Sequence, residues 1–311
     1  MKRICVIGSL NIDITTSVER FPKVGESVFS KTFDLFVGGG KGANQAVALG
    51  KLGADVMMVG KLGDQFYGPQ YFEVLKKNNI NLDAVKIEKD TFPGAALIAV
   101  DKNSDNMIFA YPGANSKVNI AFIEEKWDLI SKCDIFLLQL EIPLETNIHI
   151  IKKLKELDKT ILLDPAPALK FPDELLSLID YITPNELELE ALTGIVAQNE
   201  EDIKRSVHIL ISKGSKTVIV KSGSKGSYIA YDKEFVHMPA IKIQAVDPTA
   251  AGDSFNAALA LKIAEGKDIF ESVKFANAVG ALATMALGAQ SAMPSIEEVN
   301  RFLLTQVRDG S

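Results

Sequence analysis

The chain is short of the residues that build disulfide frameworks and metal centres. Its 311 residues include two cysteines, Cys5 and Cys133, each inside an apolar run. Such a pair predicts buried free thiols in a reducing compartment, not a stapled secreted scaffold. Three histidines, His149, His208 and His237, share no metal-ligand spacing and read as structural or surface residues. No stretch of about 20 apolar residues is present to cross a bilayer as a helix. "MKRICVIGSLNIDI" has polar Asn11 and Asp13 after its apolar run, with no cleavage site for a leader. Net charge is −6, without a long block of one sign, so no basic field attracts nucleic acid or a membrane surface. These absences predict a soluble, cytoplasmic protein.

What is present is apolar and alternating. The composition is 47% hydrophobic, ample for a large core in one α/β domain or two smaller ones. "RICVIG", "DVMMVG", "DIFLLQL", "TILLD", "YITP" and "TVIVKSG" read as strands buried on both faces. Helical patterns lie between them at 42–52, 69–78, 121–130, 145–157, 185–193 and 199–213. This alternation predicts a doubly wound, mostly parallel sheet with helices on both faces. Two regions break it. "ESVFSKTFDLFV" (26–37) and "GAALIAVDKNSDNMIFAYPG" (94–113) read as antiparallel strands, the second a hairpin turning at Asp101–Asp105. They predict a small β layer with an uncovered apolar face that wants a dimer mate or a closing ligand.

Polar residues gather at the strand ends, where open α/β sheets bind ligands. Asn11 and Asp13, Glu141, Asp164, Asn185 with Glu186 and Glu188, and Lys221 with Ser222 each follow an apolar run. Any one of them can be a loop cap; together they predict a polar cleft. "VGGGKGANQAVALGKLG" (37–53) adds glycines that let backbone approach a ligand. It fails the Walker A spacing, and a dinucleotide fingerprint fits it poorly because Asp55 precedes its strand.

The most informative stretch is "AVDPTAAGDSFNAALA" (245–260). "AIKIQAV" reads as a strand and "SFNAALALKIAEG" as a helix closed by Gly266. The turn between them is a helix N-terminus, where free N–H groups and the helix dipole suit phosphate oxygens. Ala250, Ala251 and Gly252 carry too little side chain to block an anion. Two readings remain open: Asp253 or Ser254 merely caps the helix, or Asp253 stands at the rim of an anion cradle. The second is a geometry for phosphoryl transfer to a hydroxyl.

These segments together resemble the ribokinase-like family of sugar and nucleoside kinases, from "GSLNID" to "GAQSAMPS", with "GGKGANQA" and "DPTAAGDSFNAAL" as its two signatures. The resemblance implies one α/β domain over 1–311 with a β-sheet lid from about 12–37 and 94–113, often dimerised through the lids. It implies ATP and Mg²⁺, with K⁺ as activator. By position, Asp253 matches the catalytic base, and Ala250, Ala251 and Gly252 the anion hole. Asn11, Asp13, Gly40, Lys41, Asn44 and Glu141 match positions that hold sugar hydroxyls. Asn185 lies near the phosphates and Glu188 organises Mg²⁺. Lys221, Gly223, Ser224, Gly226 and Asn277 fall where nucleotide should lie, and Asp247 with the carbonyls of Thr249, Ala283, Ala286 and Gly288 matches the K⁺ cage. Pro248, Ala292 and Lys221 depart from the usual family residues, which bears on activation and not on the reaction. The implied reaction is transfer from ATP to the primary hydroxyl of a pentose, D-ribose first, with deoxyribose, another sugar or a nucleoside as alternatives. A non-catalytic sugar or nucleotide sensor is a more distant reading.

Overall fold

The structure, a computed structural model, describes residues 2–103 and 105–309. In chain order its strands are β1 (Ile4–Ile7), β2 (Asn11–Ser17), β3 (Asp34–Gly39), β4 (Val56–Gly63), β5 (Ile80–Glu88), β6 (Gly94–Val100), β7 (Asn106–Tyr111), β8 (Ile135–Leu138), β9 (Thr160–Leu163), β10 (Tyr181–Ile182), β11 (Thr217–Lys221), β12 (Ser227–Tyr231) and β13 (Glu234–Met238). The helices are α1 (Lys41–Lys51), α2 (Gly68–Lys76), α3 (Ile120–Ile130), α4 (Leu144–Glu156), α5 (Glu186–Thr193), α6 (Glu200–Ser212), α7 (Ala251–Ala264), α8 (Ile269–Ala283) and α9 (Ile296–Asp309).

Nine strands form one sheet in the order β13-β12-β11-β10-β9-β8-β1-β4-β5. The seven from β11 to β5 run parallel. Period-two side-chain alternation divides the core. Ile4 and Val6 of β1 pack with residues of α1, α7 and α8, while Cys5 and Ile7 face the layer that contains α3, α4 and α6. Each fully buried isoleucine contributes about 2 kcal/mol by leaving water. Both cysteines are buried and free.

Three expectations need correction. "AIKIQAV" is not a strand; residues 239–250 have no regular structure. The sheet has already ended, because β12 and β13 add an antiparallel hairpin. Its two-residue turn, Asp232 and Lys233, has positive φ at both positions, 46° and 70°, which matches strand twist but is not signalled by the usual Asn-Gly. In the small sheet, ordered β3-β2-β6-β7, β2 and β6 pair in parallel. Only the end of 26–37 becomes strand, antiparallel to β2; in the connecting residues 18–33 the sole bridge among the described residues is Val18 with Ser30. The hairpin of 94–113 is present. Asp101 N–H bonds the Asp105 carbonyl at 3.0 Å, while Ser104 of its turn lies outside the described residues, as do Met1, Gly310 and Ser311. Leu97, Ile108, Phe109 and Tyr111 of this sheet are exposed.

Candidate active site

The N-terminus of α7 is open. Its N-cap, Ala250, adopts a left-handed conformation with φ 59° and offers no capping side chain. Holding a non-glycine residue there costs about 1 kcal/mol. Ala251 N–H bonds the Pro248 carbonyl at 3.2 Å and Ser254 N–H the Ala250 carbonyl at 2.9 Å. The Gly252 and Asp253 N–H groups between them have no acceptor among the described residues. Capping is therefore not what the aspartate does. Its carboxylate turns away, accepting from Asn44 Nδ2 at 3.0 Å and Gln45 Nε2 at 3.1 Å.

A cavity of about 460 Å³ lies against this helix end. Lys221, Gly223, Ser224, Gly226, Gly252 and Asn277 line it, six of the seven residues the sequence assigned to nucleotide. Gly226, at φ 98°, is obligatory: a Cβ there would lie 2.1 Å from the Met238 carbonyl oxygen. Ile241 and Ile243 of the irregular segment supply an apolar wall. Lys221 Nζ sits 2.8 Å from Asp164 Oδ1 and 3.6 Å from where a Cβ on Gly252 would stand. It thus adds positive charge beside the free amides.

Asn185 is not in the cavity wall; it is the N-cap of α5. Its side chain accepts from Glu188 N–H, and Glu188 accepts from the Asn185 backbone and side chain at 2.7 and 2.8 Å. Burial raises the Glu188 pKa, with Lys221 opposing and Asp164 adding to the rise. Asp247 stands at the start of the turn. It accepts from Thr249 N–H and hydroxyl, at 2.9 and 2.6 Å, and from Gly288 N–H at 2.9 Å. Burial works against its ionisation, but these hydrogen bonds win and its pKa falls below the ordinary value. Ala283 ends α8 in the core and Ala286 is exposed. Val246 and Asp247 N–H groups both bond the Thr284 carbonyl.

On the other side of Asp253 lies a cluster of charges: Asp13 in β2, Lys41 at the start of α1, and Glu141 and Asp164 beyond the ends of β8 and β9. Burial pushes the Asp253 carboxyl up to about 6, with Lys41 opposing and Asp164 and Glu141 adding. Asp13 is raised to about 7 by burial, then by Glu141 and Asp253, against the pull of Lys41. Burial would lower the Lys41 ammonium, but Asp253, Glu141, Asp164 and Glu188 together raise it. Glu141 is fixed by the Ser9 hydroxyl at 2.5 Å and by Lys41 N–H at 3.0 Å. Asp13 is pressed onto the glycine loop: a Cβ on Gly39 would lie 2.3 Å from its Oδ2. Gly40, φ 85°, likewise has no room for a side chain, since a Cβ would meet Asn11 N at 2.7 Å. Asn11 is oriented by Asn115 Nδ2, 2.7 Å from its Oδ1. Asn11, Asp13, Gly40, Lys41, Asn44, Glu141 and Asp253 are thus placed around one charged site.

A buried carboxylate between open helix amides and a cluster of polar side chains is a layout for moving a proton off an alcohol while anionic oxygens are held nearby. A model of the pfkB family carbohydrate kinases matches residues 1–296. The chain belongs to that family. This kinase is 38% identical to the ribokinase of Bacillus subtilis (strain 168) over 303 residues, 97% of its own chain and 100% of that relative. It is 37% identical to the deoxyribokinase of Salmonella typhi over 302 residues, 96% and 98% of the two chains. The solved structure of Arabidopsis thaliana ribokinase complexed with ribose and ATP matches at TM-score 0.88 and 35% identity, covering 97% of this chain and 98% of that one. The kinase is a phosphotransferase acting on a sugar hydroxyl.

Several residues that build the kinase's site were given no role by the sequence, although Gln45 lies inside the "GGKGANQA" signature. Gln45 joins Asp253 to Asp164 and accepts from Gln139, Gln290 holds Asn44, and Asn115 turns Asn11. The available signal was polarity where none is expected: α1 is buried from Gly42 to Gly50, so Asn44 and Gln45 inside it require partners.

Proposed function

We propose that this kinase transfers the γ-phosphoryl group of ATP to the primary hydroxyl of D-ribose, with Asp253 as the base. The observation that carries the reading is the pair of unpartnered amides, Gly252 and Asp253, set between a nucleotide-sized cavity and a buried carboxylate whose pKa is raised to about 6. Asp13, Asn44, Glu141 and the free Nδ2 of Asn11 receive the sugar hydroxyls. Asp253 takes the proton of the attacking oxygen as that oxygen bonds to phosphorus, and the ADP oxygen leaves on the cavity side. The amides and Lys221 stabilise the transferred oxygens, in a role worth several kcal/mol where donors are fixed in advance.

Mg²⁺ enters with nucleotide, needing only one or two carboxylates besides phosphate and water. Glu188, with Asn185 bound to it, fits: burial disfavours its charge, which a cation beside it would relieve. When bound, the ion neutralises phosphate charge. Asp247, ionised beside Thr249 and Gly288, fits a K⁺ site completed by carbonyls of Ala283, Ala286 and Gly288. The four-stranded sheet serves as a lid over the sugar, and its exposed Leu97, Phe109 and Tyr111 support pairing with a second copy. No helix in the described residues is long and apolar enough to cross a membrane.

The test is an ADP-release screen of pentoses, 2-deoxypentoses, hexoses and nucleosides, with Na⁺ or K⁺ as the monovalent ion. Ribose should give the highest kcat/KM, higher in K⁺. A preference for deoxyribose would move the chain to the activity of its Salmonella relative, and turnover with none would end the reading.

A further inference from the structure

The base sits in a hydrogen-bonded unit that reaches the nucleotide cavity through one glutamine. Gln45 Nε2 donates to Asp253 Oδ1 at 3.1 Å and to Asp164 Oδ2 at 2.9 Å. Its Oε1 accepts from Gln139 Nε2 at 2.5 Å. Both amide protons and the carbonyl are therefore committed, and the amide cannot turn over without losing all three bonds. Asp164 continues the line, its Oδ1 paired with Lys221 Nζ at 2.8 Å on the cavity wall. Gln45, Gln139, Asp164 and Asp253 are all nearly or wholly buried, so no water competes for these bonds.

We propose that Gln45 is a positioning residue for the reaction: it fixes the rotation of the Asp253 carboxylate and ties it, through Asp164, to the lysine that faces the phosphates. It touches neither substrate. The inference rests on the proposed function and adds a residue to it. One Asp253 oxygen is held by Asn44 and the other by Gln45, so losing Gln45 frees the carboxylate to rotate. Misplacement of a reacting group by about 1 Å costs on the order of 100-fold in rate. Loss of a donor also disfavours the ionised form. The other groups that set that ionisation are Lys41 from α1, Asp164 after β9, Glu141 after β8 and Asp13 on β2.

The experiment uses Gln45→Met, which keeps the length and donates nothing. In this variant kcat should fall about 10- to 100-fold, with KM for sugar and for ATP each within about threefold of wild type. The pH midpoint of kcat should rise by about one unit. The same rise should appear in the ¹³C NMR titration of the Asp253 carboxyl without substrate. An unmoved midpoint in both measurements, even with a lower melting temperature, would overturn the proposal and leave Gln45 a packing residue. If Gln45→Met does not fold, Gln139→Met frees the Gln45 amide without touching either carboxylate. A smaller shift in the same direction then supports the proposal, and no shift overturns it. Wild-type turnover on ribose tests the proposed function alone, while the difference between wild type and variant tests Gln45.

Discussion

Replacing Asp253 by asparagine separates chemistry from folding in this kinase, and the structure sets the size of both effects. An amide cannot accept the hydroxyl proton, so the loss of general-base catalysis should lower kcat by about 10²- to 10⁴-fold, or roughly 3–5 kcal/mol of barrier. Stability moves by competing terms. The native pKa of about 6 lies above the unfolded value, so the ionised carboxylate is disfavoured in the fold. Native stability attributable to this group is therefore greatest at low pH and declines as pH rises from the unfolded pKa to about 6. At neutral pH, keeping Asp253 charged costs on the order of 3 kcal/mol, which asparagine removes. Against this, both carboxylate oxygens accept hydrogen bonds, from Asn44 and Gln45, and an amide must turn its NH₂ toward one of them. That mismatch costs about 1–3 kcal/mol. Lys41 also loses the carboxylate that contributes most to raising its pKa. The net should be a melting temperature within a few degrees of wild type, with ATP binding retained. The assay is coupled ADP release on saturating ribose beside a thermal melt and nucleotide titration. Turnover within about tenfold of wild type by a folded Asp253→Asn protein would refute the assignment of the base.

Three further outcomes follow from the same geometry. With Asp253 as the proposed base, kcat should climb with pH through about 6 and level above it, and kcat/KM for sugar should continue to rise toward pH 7 as Asp13 ionises; a flat profile from pH 5 to 8 would contradict both. Gly252→Ala has room in the free protein, where only Lys221 Nζ comes near, at 3.6 Å. It should melt no lower than wild type, gaining up to about 1 kcal/mol of helix propensity, yet lose at least about tenfold in kcat/KM for ATP because its methyl group stands where phosphate oxygens approach. Gly39→Ala places a methyl group 2.3 Å from Asp13 Oδ2, so it should raise the sugar KM while leaving ATP affinity unchanged in a calorimetric titration.

The parts of the site made by strand ends and by the turn into α7 were legible in the sequence. Polar residues after apolar runs and a bare helix start are local signals, and Asn11, Asp13, Glu141, Lys221 and Asp253 were found from them. The strand at 240–246 was misread because period-two alternation reports two faces, not a hydrogen-bonded neighbour. Ile241 and Ile243 alternate because they line a cavity, not because a sheet covers them. The β12–β13 hairpin escaped because Asp232 and Lys233 are unusual occupants of a doubly positive-φ turn. Asn185 was placed with the phosphates, but in the structure it first satisfies the end of α5, which a sequence motif cannot distinguish from ligand contact. Gln45, Gln139 and Gln290 were not identified because their partners are 94 to 246 residues away along the chain, and no local pattern encodes such pairings.

Two lines of amides converge on the base. Gln139 donates to Gln45 and Gln290 to Asn44, and each of these in turn donates to Asp253. Among the described residues, both hydrogen-bond partners of the aspartate, Asn44 and Gln45, present hydrogen to it. A proton captured during turnover therefore has no inward route. If Asp253 is the proposed base, the proton should depart on the side where sugar binds, so reloading for the next cycle should wait on product release and on contact with solvent.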